Sequence, residues 1–392
     1  MSRIAVLSAR RTPMAAFQGQ LASVPAPKLA ATAIAAAVAD AGVDPSTLTE
    51  ANIGLVLQAG VGQAPARQAV LTAGLSEAVT ATTISKVCGS GMKAIIDTAV
   101  RIRAGEADLA IAGGMESMSN APHLLPTSRT GKRLGHGRIV DHMFHDGLED
   151  AYETGTLMGE FAQRCADDYQ FTREMQDAYA IGSLDRALAA QARNAFDAEI
   201  APVTVSDRKG EHVVDTDEAP LVARPDKIPH LKPAFRPDGT ITAASSSSIS
   251  DGAAALVLAS EDEAARLGRR PLGWIVGTAA HAQAPSQFAT APVAATRKLL
   301  DRLGWQAADV DLWEVNEAFA MVAMAFIHDL GLERDRVNVN GGACALGHPI
   351  GASGARIVVT LLHALQERGL NRGIASICIG GGEALSIAVE RD

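Results

Sequence analysis

An α/β fold of two similar halves related by a pseudo-two-fold, with a loop domain inserted between them, is predicted here by two observations. The same order of elements occurs twice along the chain, and between the two copies the alternation of strand and helix patterns lapses. The halves are expected at residues 1–119 with 249–268 and at 269–392, which leaves 120–248 as the insertion. At 392 residues the chain exceeds the usual size of one domain, so more than one core is expected.

In the first copy, Ala41-Gly42-Val43-Asp44 follows an apolar helical stretch and precedes a strand over 53–57. A β-branched strand over 82–87 leads to Cys88, and Gly89-Ser90-Gly91 opens a helical pattern with Met92, Ile95, Ile96 and Ala99 on its apolar face. A strand over 109–112 then runs into Gly113-Gly114-Met115-Glu116. In the second copy, Leu303-Gly304-Trp305 precedes a strand over 310–315, and Ala352-Ser353-Gly354 opens a helix through Ile357, Val358, Leu361 and Leu362. A strand over 375–379 leads into Gly380-Gly381-Gly382-Glu383. Such alternation implies mostly parallel sheets covered by helices, with sites at the carboxyl ends of strands. The insertion is rich in Pro, His, Arg and Gly and carries one helical stretch, 173–193. Its basic stretch, with Arg129, Lys132, Arg133 and Arg138 and no acid, and its closing polar run, 245–248, read as solvated loops or linkers. Contact with ligand phosphates or with another subunit is the other reading of the basic stretch.

Composition narrows the function. A net charge of -9 disfavours nucleic acid as a partner, though it permits a small anionic ligand held by local cations. The apolar run over 29–39 is too short to cross a bilayer, which takes roughly 20 residues, so no membrane association is expected. Cys88, Cys165, Cys344 and Cys378 lack the short paired spacings of a zinc site, so no metal site is expected, and they read as reduced thiols in a cytoplasm.

Cys88 falls where a strand pattern gives way to a helix, whose N-terminal N–H groups stabilise a thiolate and lower the thiol pKa below about 8.5. From placement alone, a lone cysteine is more often a small buried hydrophobe. His348, in Gly347-His348-Pro349-Ile350-Gly351, stands before the matching helix of the second copy, so a pseudo-two-fold would bring both into one cleft, where the imidazole could take the thiol proton; a structural turn histidine is the equal alternative. Cys378 ends a strand beside the glycines 380–382 and could serve as an acid or base, with exposed N–H groups receiving an oxyanion; a buried structural cysteine is the alternative. Asn316 follows a strand and could orient a water or a carbonyl oxygen.

Taken together, these pieces resemble the thiolase family along nearly the whole chain. The resemblance is carried by Arg11-Thr12-Pro13, Gln63-Ala64-Pro65-Ala66-Arg67, Lys86-Val87-Cys88-Gly89-Ser90-Gly91, Gly113-Gly114-Met115-Glu116-Ser117-Met118-Ser119, Asn316-Glu317-Ala318-Phe319, Asn338-Val339-Asn340-Gly341-Gly342, Gly347-His348-Pro349-Ile350-Gly351 and Cys378-Ile379-Gly380. It implies a thiolase-like fold and reversible condensation of two acetyl-CoA to acetoacetyl-CoA and CoA. In that reaction His348 activates Cys88 for acylation and Cys378 moves the proton at the carbon of acetyl-CoA. Asn316, through a water, and His348 would stabilise the enolate oxygen, while the N–H groups of Cys88 and Gly380 hold the acyl-enzyme oxyanion. The resemblance also implies that Ser247, Met158, Phe319 and Phe288 line the acyl-CoA cleft, with Arg224 near the phosphates in place of an arginine often found where Leu221 stands. CoA is substrate and product, no cofactor is implied, and a homo-oligomer, tetramer or dimer, is expected. A 3-ketoacyl-CoA thiolase of fatty-acid breakdown uses the same chemistry and is the rival reading. A silent acyl-CoA-binding module is the remote one.

Overall fold

The chain is described here from a computed structural model that covers residues 3–207 and 210–392. Nine strands carry the architecture. The first half supplies β1 (Ile4–Arg11), β2 (Glu50–Gly54), β3 (Thr80–Ile84), β4 (Leu109–Ser117) and, after the long segment 120–248, β5 (Ser250–Ala259). The second half supplies β6 (Gly273–Ala282), β7 (Leu312–Val315), β8 (Arg372–Ile379) and β9 (Glu383–Glu390). In space they run β7-β8-β9-β6-β1-β5-β4-β2-β3, with the short strand Ala15–Ala16 added against β5.

The two halves share one pairing scheme. In the first, β1 is antiparallel to β5 and β5 to β4, whereas β4, β2 and β3 are parallel. In the second, β6 is antiparallel to β9 and β9 to β8, β8 is parallel to β7, and a parallel bridge from Trp313 to Val337 continues the series as β3 does in the first. The halves join where Ile4, Ala5 and Val6 of β1 meet Ile275, Trp274 and Gly273 of β6. The expectation of mostly parallel sheets is therefore corrected: antiparallel pairing predominates among the described strands. The physical reason is that β8 returns as β9 through the short turn 380–382, a connection that only antiparallel neighbours permit.

Among the described residues, eight helices of eight or more residues complete the layers: α1 (Ala26–Ala41), α2 (Pro65–Thr72), α3 (Ser90–Arg103), α4 (Met158–Asp168), α5 (Arg173–Ala192), α6 (Ala291–Leu303), α7 (Ala320–Leu330) and α8 (Ile350–Arg368). Strand alternation assigns the faces. Ala5 and Leu7 of β1 join a core with Leu29, Ala33 and Ile34 of α1 and Ala66, Ala69 and Val70 of α2. Ile4 and Val6 point the other way, into a core shared by Met92, Ile95 and Ala99 of α3, Ile357, Val358 and Leu361 of α8, and Ile377 and Ile387 of the second half. A third core packs α6 and α7 on the far face of the second half through Leu299, Ala323 and Phe326. The order is thus helix, sheet, helix, sheet, helix, with α3 and α8 side by side in the central layer.

That central contact depends on missing side chains. A Cβ on Gly91 would lie 2.9 Å from the Ala355 nitrogen and 3.0 Å from the Gly351 oxygen, and a Cβ on Gly354 would lie 2.6 Å from the Met92 nitrogen. Gly114 of β4 accepts the Gly351 carbonyl in the same way, its Cβ position being 2.2 Å from that oxygen. We expect Gly91→Ala to cost about 1–3 kcal/mol, the usual penalty for overpacking. Gly182→Ala, in α5 with nothing within 4 Å of the added carbon, should instead gain about 0.5–1 kcal/mol from helix propensity. Urea unfolding of both variants checks this; equal stabilities would contradict the close approach of α3 and α8.

Candidate active site

The nucleophile candidate sits on a strained turn. β3 ends at Ile84 rather than running to residue 87, and the five residues before α3 form a tight connection. Val87 adopts φ 44°, a region costly for a β-branched residue. Ser90 holds the turn from inside: its hydroxyl donates to the Val87 carbonyl at 2.7 Å and accepts from the Lys86 N–H at 2.8 Å. The next residue along, Cys88, is thereby set just ahead of α3. His348 stands at the matching place ahead of α8, two residues before its first helical residue, and both line one cavity of about 60 Å³.

Hydrogen bonds determine the state of the imidazole. The Ser353 hydroxyl donates to the Pro349 carbonyl at 2.9 Å, so at 2.5 Å from His348 Nδ1 its oxygen is the acceptor. The ring proton therefore belongs on Nδ1, which leaves Nε2 as a lone pair. Nε2 lies 3.4 Å from Asn316 Nδ2, a donor, while Asn316 Oδ1 is buried with no protein partner. Burial first, and the charge of Arg356 second, push the imidazole down to about 3, so it is neutral at physiological pH and able to accept a proton.

The thiol departs from the sequence expectation. Although the N–H groups of Gly380 and of Cys88 itself favour a thiolate, desolvation outweighs them and pushes Cys88 up to about 11. Cys88 is only partly buried, so the residue remains reachable from the cleft. The resting pair is accordingly thiol and neutral imidazole, not a thiolate–imidazolium ion pair. Cys378 is fully buried at the end of β8; desolvation, followed by the proximity of Cys88, raises its thiol well above the ordinary range. It is protonated at rest, as a proton donor must be.

Three adjoining cavities lead outward. The small one is walled by Leu148, Met158, Phe288, Phe319 and Ile350. It shares Ser247 and Phe319 with an apolar groove of about 210 Å³, which shares Ser246 with an outer cavity of about 330 Å³ containing Arg224 and Lys227. The run 245–248 is a packed wall and not a solvated linker: the Ser247 N–H donates to the Ala318 carbonyl, the Ala320 N–H to Ser245 and the His348 N–H to Ser248, all within 3.0 Å. Leu221 is exposed and outside these cavities, whereas Arg224 lines the outer one. Arg129, Lys132, Arg133 and Arg138 occupy an exposed loop between the paired segments His123–Leu124 and Val140–Asp141 and line none of the three.

Sequence reasoning missed Ser90, Ser353, Leu148 and Lys227. Ser353 could have been found, because the first turn of α8 folds back towards His348. Leu148 belongs to a wide helical turn, Phe144–Leu148, with no periodic signature.

A cysteine met by two backbone N–H groups, a neutral histidine with its lone pair on Nε2 and an apolar channel ending in cations together suit covalent acyl transfer from a long, anionic carrier. The family model described as "Thiolase, N-terminal domain" matches residues 4–262, and that described as "Thiolase, C-terminal domain" matches 269–391. The chain belongs to the thiolase family. It is 49% identical over 390 residues to an acetyl-CoA acetyltransferase of Chromobacterium violaceum, covering 99% of each chain. It is 48% identical to acetyl-CoA acetyltransferase 2 of Arabidopsis thaliana, covering 99% of this chain and 96% of that one. Among solved structures, the acetyl-CoA acetyltransferase of Bacillus anthracis superposes with a TM-score of 0.97 at 41% identity, covering 100% of this chain and 99% of the other.

The protonation states make a prediction. Cys88 should be the first thiol alkylated by iodoacetamide, since it lines the open cleft, while desolvation pushes Cys165 up to about 12 and holds Cys344 and Cys378 well above the ordinary thiol range. Its rate should keep climbing towards pH 11, because a thiol with a raised pKa becomes thiolate only there. A plateau already reached at neutral pH would mean a preformed thiolate and contradict the neutral pair.

Proposed function

We propose that this protein is an acetyl-CoA C-acetyltransferase that interconverts acetoacetyl-CoA plus CoA with two acetyl-CoA through an acyl-enzyme on Cys88. The observation that carries the reading is the small cavity at Cys88, about 60 Å³ and closed by the buried Phe288, whose ring meets Phe319 edge-on at 6.4 Å. The names borne by the full-length relatives agree with it.

In the direction of thiolysis, Cys88 attacks the ketone carbon as its proton passes to His348 Nε2. The bond between the ketone carbon and its neighbour breaks, and the electron pair becomes the enolate of acetyl-CoA. Cys378 donates its thiol proton to that carbon and releases acetyl-CoA. Incoming CoA then attacks the acetyl-Cys88 thioester, its proton going to the Cys378 thiolate, and Cys88 recovers its proton from His348. Condensation runs the same steps backwards. The amide of Asn316, with its unpartnered buried oxygen, would hold a water beside His348 at the enolate oxygen. The N–H groups of Cys88 and Gly380 receive the acyl-enzyme oxyanion. Ser247, Met158 and Phe319 line the path of the carrier arm, with Arg224 and Lys227 at its phosphates. We further read the chain as a cytoplasmic homo-oligomer, dimer or tetramer; β3 is an open sheet edge that a second copy could continue. No helix of the described residues is long and apolar enough to cross a membrane.

Cleavage of a series of 3-ketoacyl-CoA substrates tests the proposal. We expect kcat/KM for acetoacetyl-CoA to exceed that for the substrate two carbons longer by about 10–200-fold, the discrimination available to a tight apolar pocket. Phe288→Ala should narrow the gap by favouring the longer chain. Equal rates along the series would point to a 3-ketoacyl-CoA thiolase, and no cleavage at all to a binding module.

A further inference from the structure

Asn316 has little side-chain support of its own. Its Nδ2 lies 3.4 Å from His348 Nε2, and its Oδ1 is buried without a protein partner. His348, by contrast, is anchored twice, through its N–H to the Ser248 carbonyl at 3.0 Å and through Nδ1 to the Ser353 hydroxyl. The place of the Asn316 amide is therefore set by the main chain on either side of it. Its own N–H donates to the Ser376 carbonyl at 3.0 Å. Before it, the Asn338 side chain bonds both the N–H and the carbonyl of Val315, at 2.8 and 2.9 Å. After it stands Glu317.

Glu317 is fully buried, and neutral donors converge on its carboxylate. Oε1 accepts from the Tyr179 hydroxyl at 2.9 Å and from Asn338 Nδ2 at 2.8 Å. Oε2 accepts from the Ser183 hydroxyl at 2.7 Å and from the Cys344 N–H at 3.2 Å. A buried carboxylate is costly to hold unless its lone pairs are filled, so these donors and Glu317 fix one another. Tyr179 and Ser183 stand one turn apart on α5, in the insertion, whereas Asn338 and Cys344 belong to the segment that leads to His348. Gly342 makes room for the group: a Cβ there would lie 2.3 Å from the Glu317 carboxyl carbon, and its N–H donates to the Ser183 hydroxyl at 3.0 Å.

We propose, on the basis of the acetyltransferase reading, that Glu317 is a positioning residue of the enolate step. Its carboxylate clamps the main chain next to Asn316 and so holds the amide against His348, where the enolate oxygen is received. Loss of the clamp releases Asn316, which has no side-chain anchor, and leaves His348 on Ser248 and Ser353. Acylation of Cys88, which relies on His348 and on the N–H groups of Cys88 and Gly380, is then spared while chemistry at carbon is not. The donors from α5 make the insertion part of the catalytic scaffold as well as a wall of the carrier cavities.

The test reads three steps on the same samples of full-length protein. These are acetylation of Cys88 by radiolabelled acetyl-CoA, deuterium uptake from heavy water into the methyl group of acetyl-CoA, which needs the enolate, and thiolysis of acetoacetyl-CoA. Glu317→Gln turns an amide N–H group against one of the donors. We expect it to acetylate Cys88 at the wild-type rate, while deuterium uptake and kcat for thiolysis fall together by about 100-fold, the loss that a misplacement of about 1 Å can cause. The double variant Tyr179→Phe/Ser183→Ala keeps the carboxylate but removes both hydroxyl donors; it should show the same split, and it decides the matter if Glu317→Gln does not fold. The inference is overturned if acetylation falls as far as turnover in the double variant, as a merely structural role would give, or if turnover is unchanged. Unaltered protein that acetylates Cys88 but neither takes up deuterium nor cleaves acetoacetyl-CoA would instead overturn the acetyltransferase reading.

Discussion

Everything at the active site hangs on the contact between α3 and α8, two helices that start side by side in the middle of the molecule. Gly91 and Gly354 bring their backbones to distances that no side chain would tolerate, and Gly114 admits the first turn of α8 against β4. Because the helices begin together, the residues that precede them arrive together, and so Cys88 and His348 share a cavity despite lying far apart in sequence. Two ties across the halves hold this register. Glu116 of the first half accepts from the Gly351 N–H at 2.9 Å in the second, and from Val56 and Leu57 in its own. Lys86, beside the nucleophile, pairs with Glu383 of β9.

The chemistry follows from how much that arrangement excludes water. A nucleophile exposed at a helix N-terminus would be expected to rest as a thiolate. Here the same burial that raises the Cys88 thiol also depresses the His348 imidazole, so the two stay neutral together over a wide range of pH. Charge appears only as the proton moves, when the N–H groups of Gly380 and Cys88 already stand ready to receive it. Cys378 is held protonated by a deeper desolvation, which suits it to a proton transfer to carbon and not to a second nucleophilic attack.

The repeat was legible because α3 and α8 carry similar apolar faces and glycine-rich beginnings, and the motifs around Cys88, Asn316, His348 and Cys378 identified the family. Other features depend on distant partners and leave little local trace. The senses of β5 and β9, the packing of 245–248 against Ala318 and His348, and the raised Cys88 thiol are all set by what surrounds a segment. A helix terminus favours the thiolate locally, but desolvation, which the sequence around Cys88 does not reveal, outweighs it. Ser353 lay in plain view within a recognised motif, but its hold on His348 Nδ1 needs the turn geometry to be seen.

The central claim is that the two thiols have separate tasks, Cys88 carrying the acyl group and Cys378 moving the proton at carbon. The most direct measurement is incubation with radiolabelled acetyl-CoA, followed by quenching and peptide mapping, alongside turnover on the same samples. Cys378→Ala should still acquire label on Cys88 while condensation and thiolysis fall by at least about 100-fold, the lower range for a lost general acid-base; Cys88→Ala should lose both. Equal loss of label in the two variants, with circular dichroism unchanged, would contradict the account and place Cys378 in the activation of Cys88.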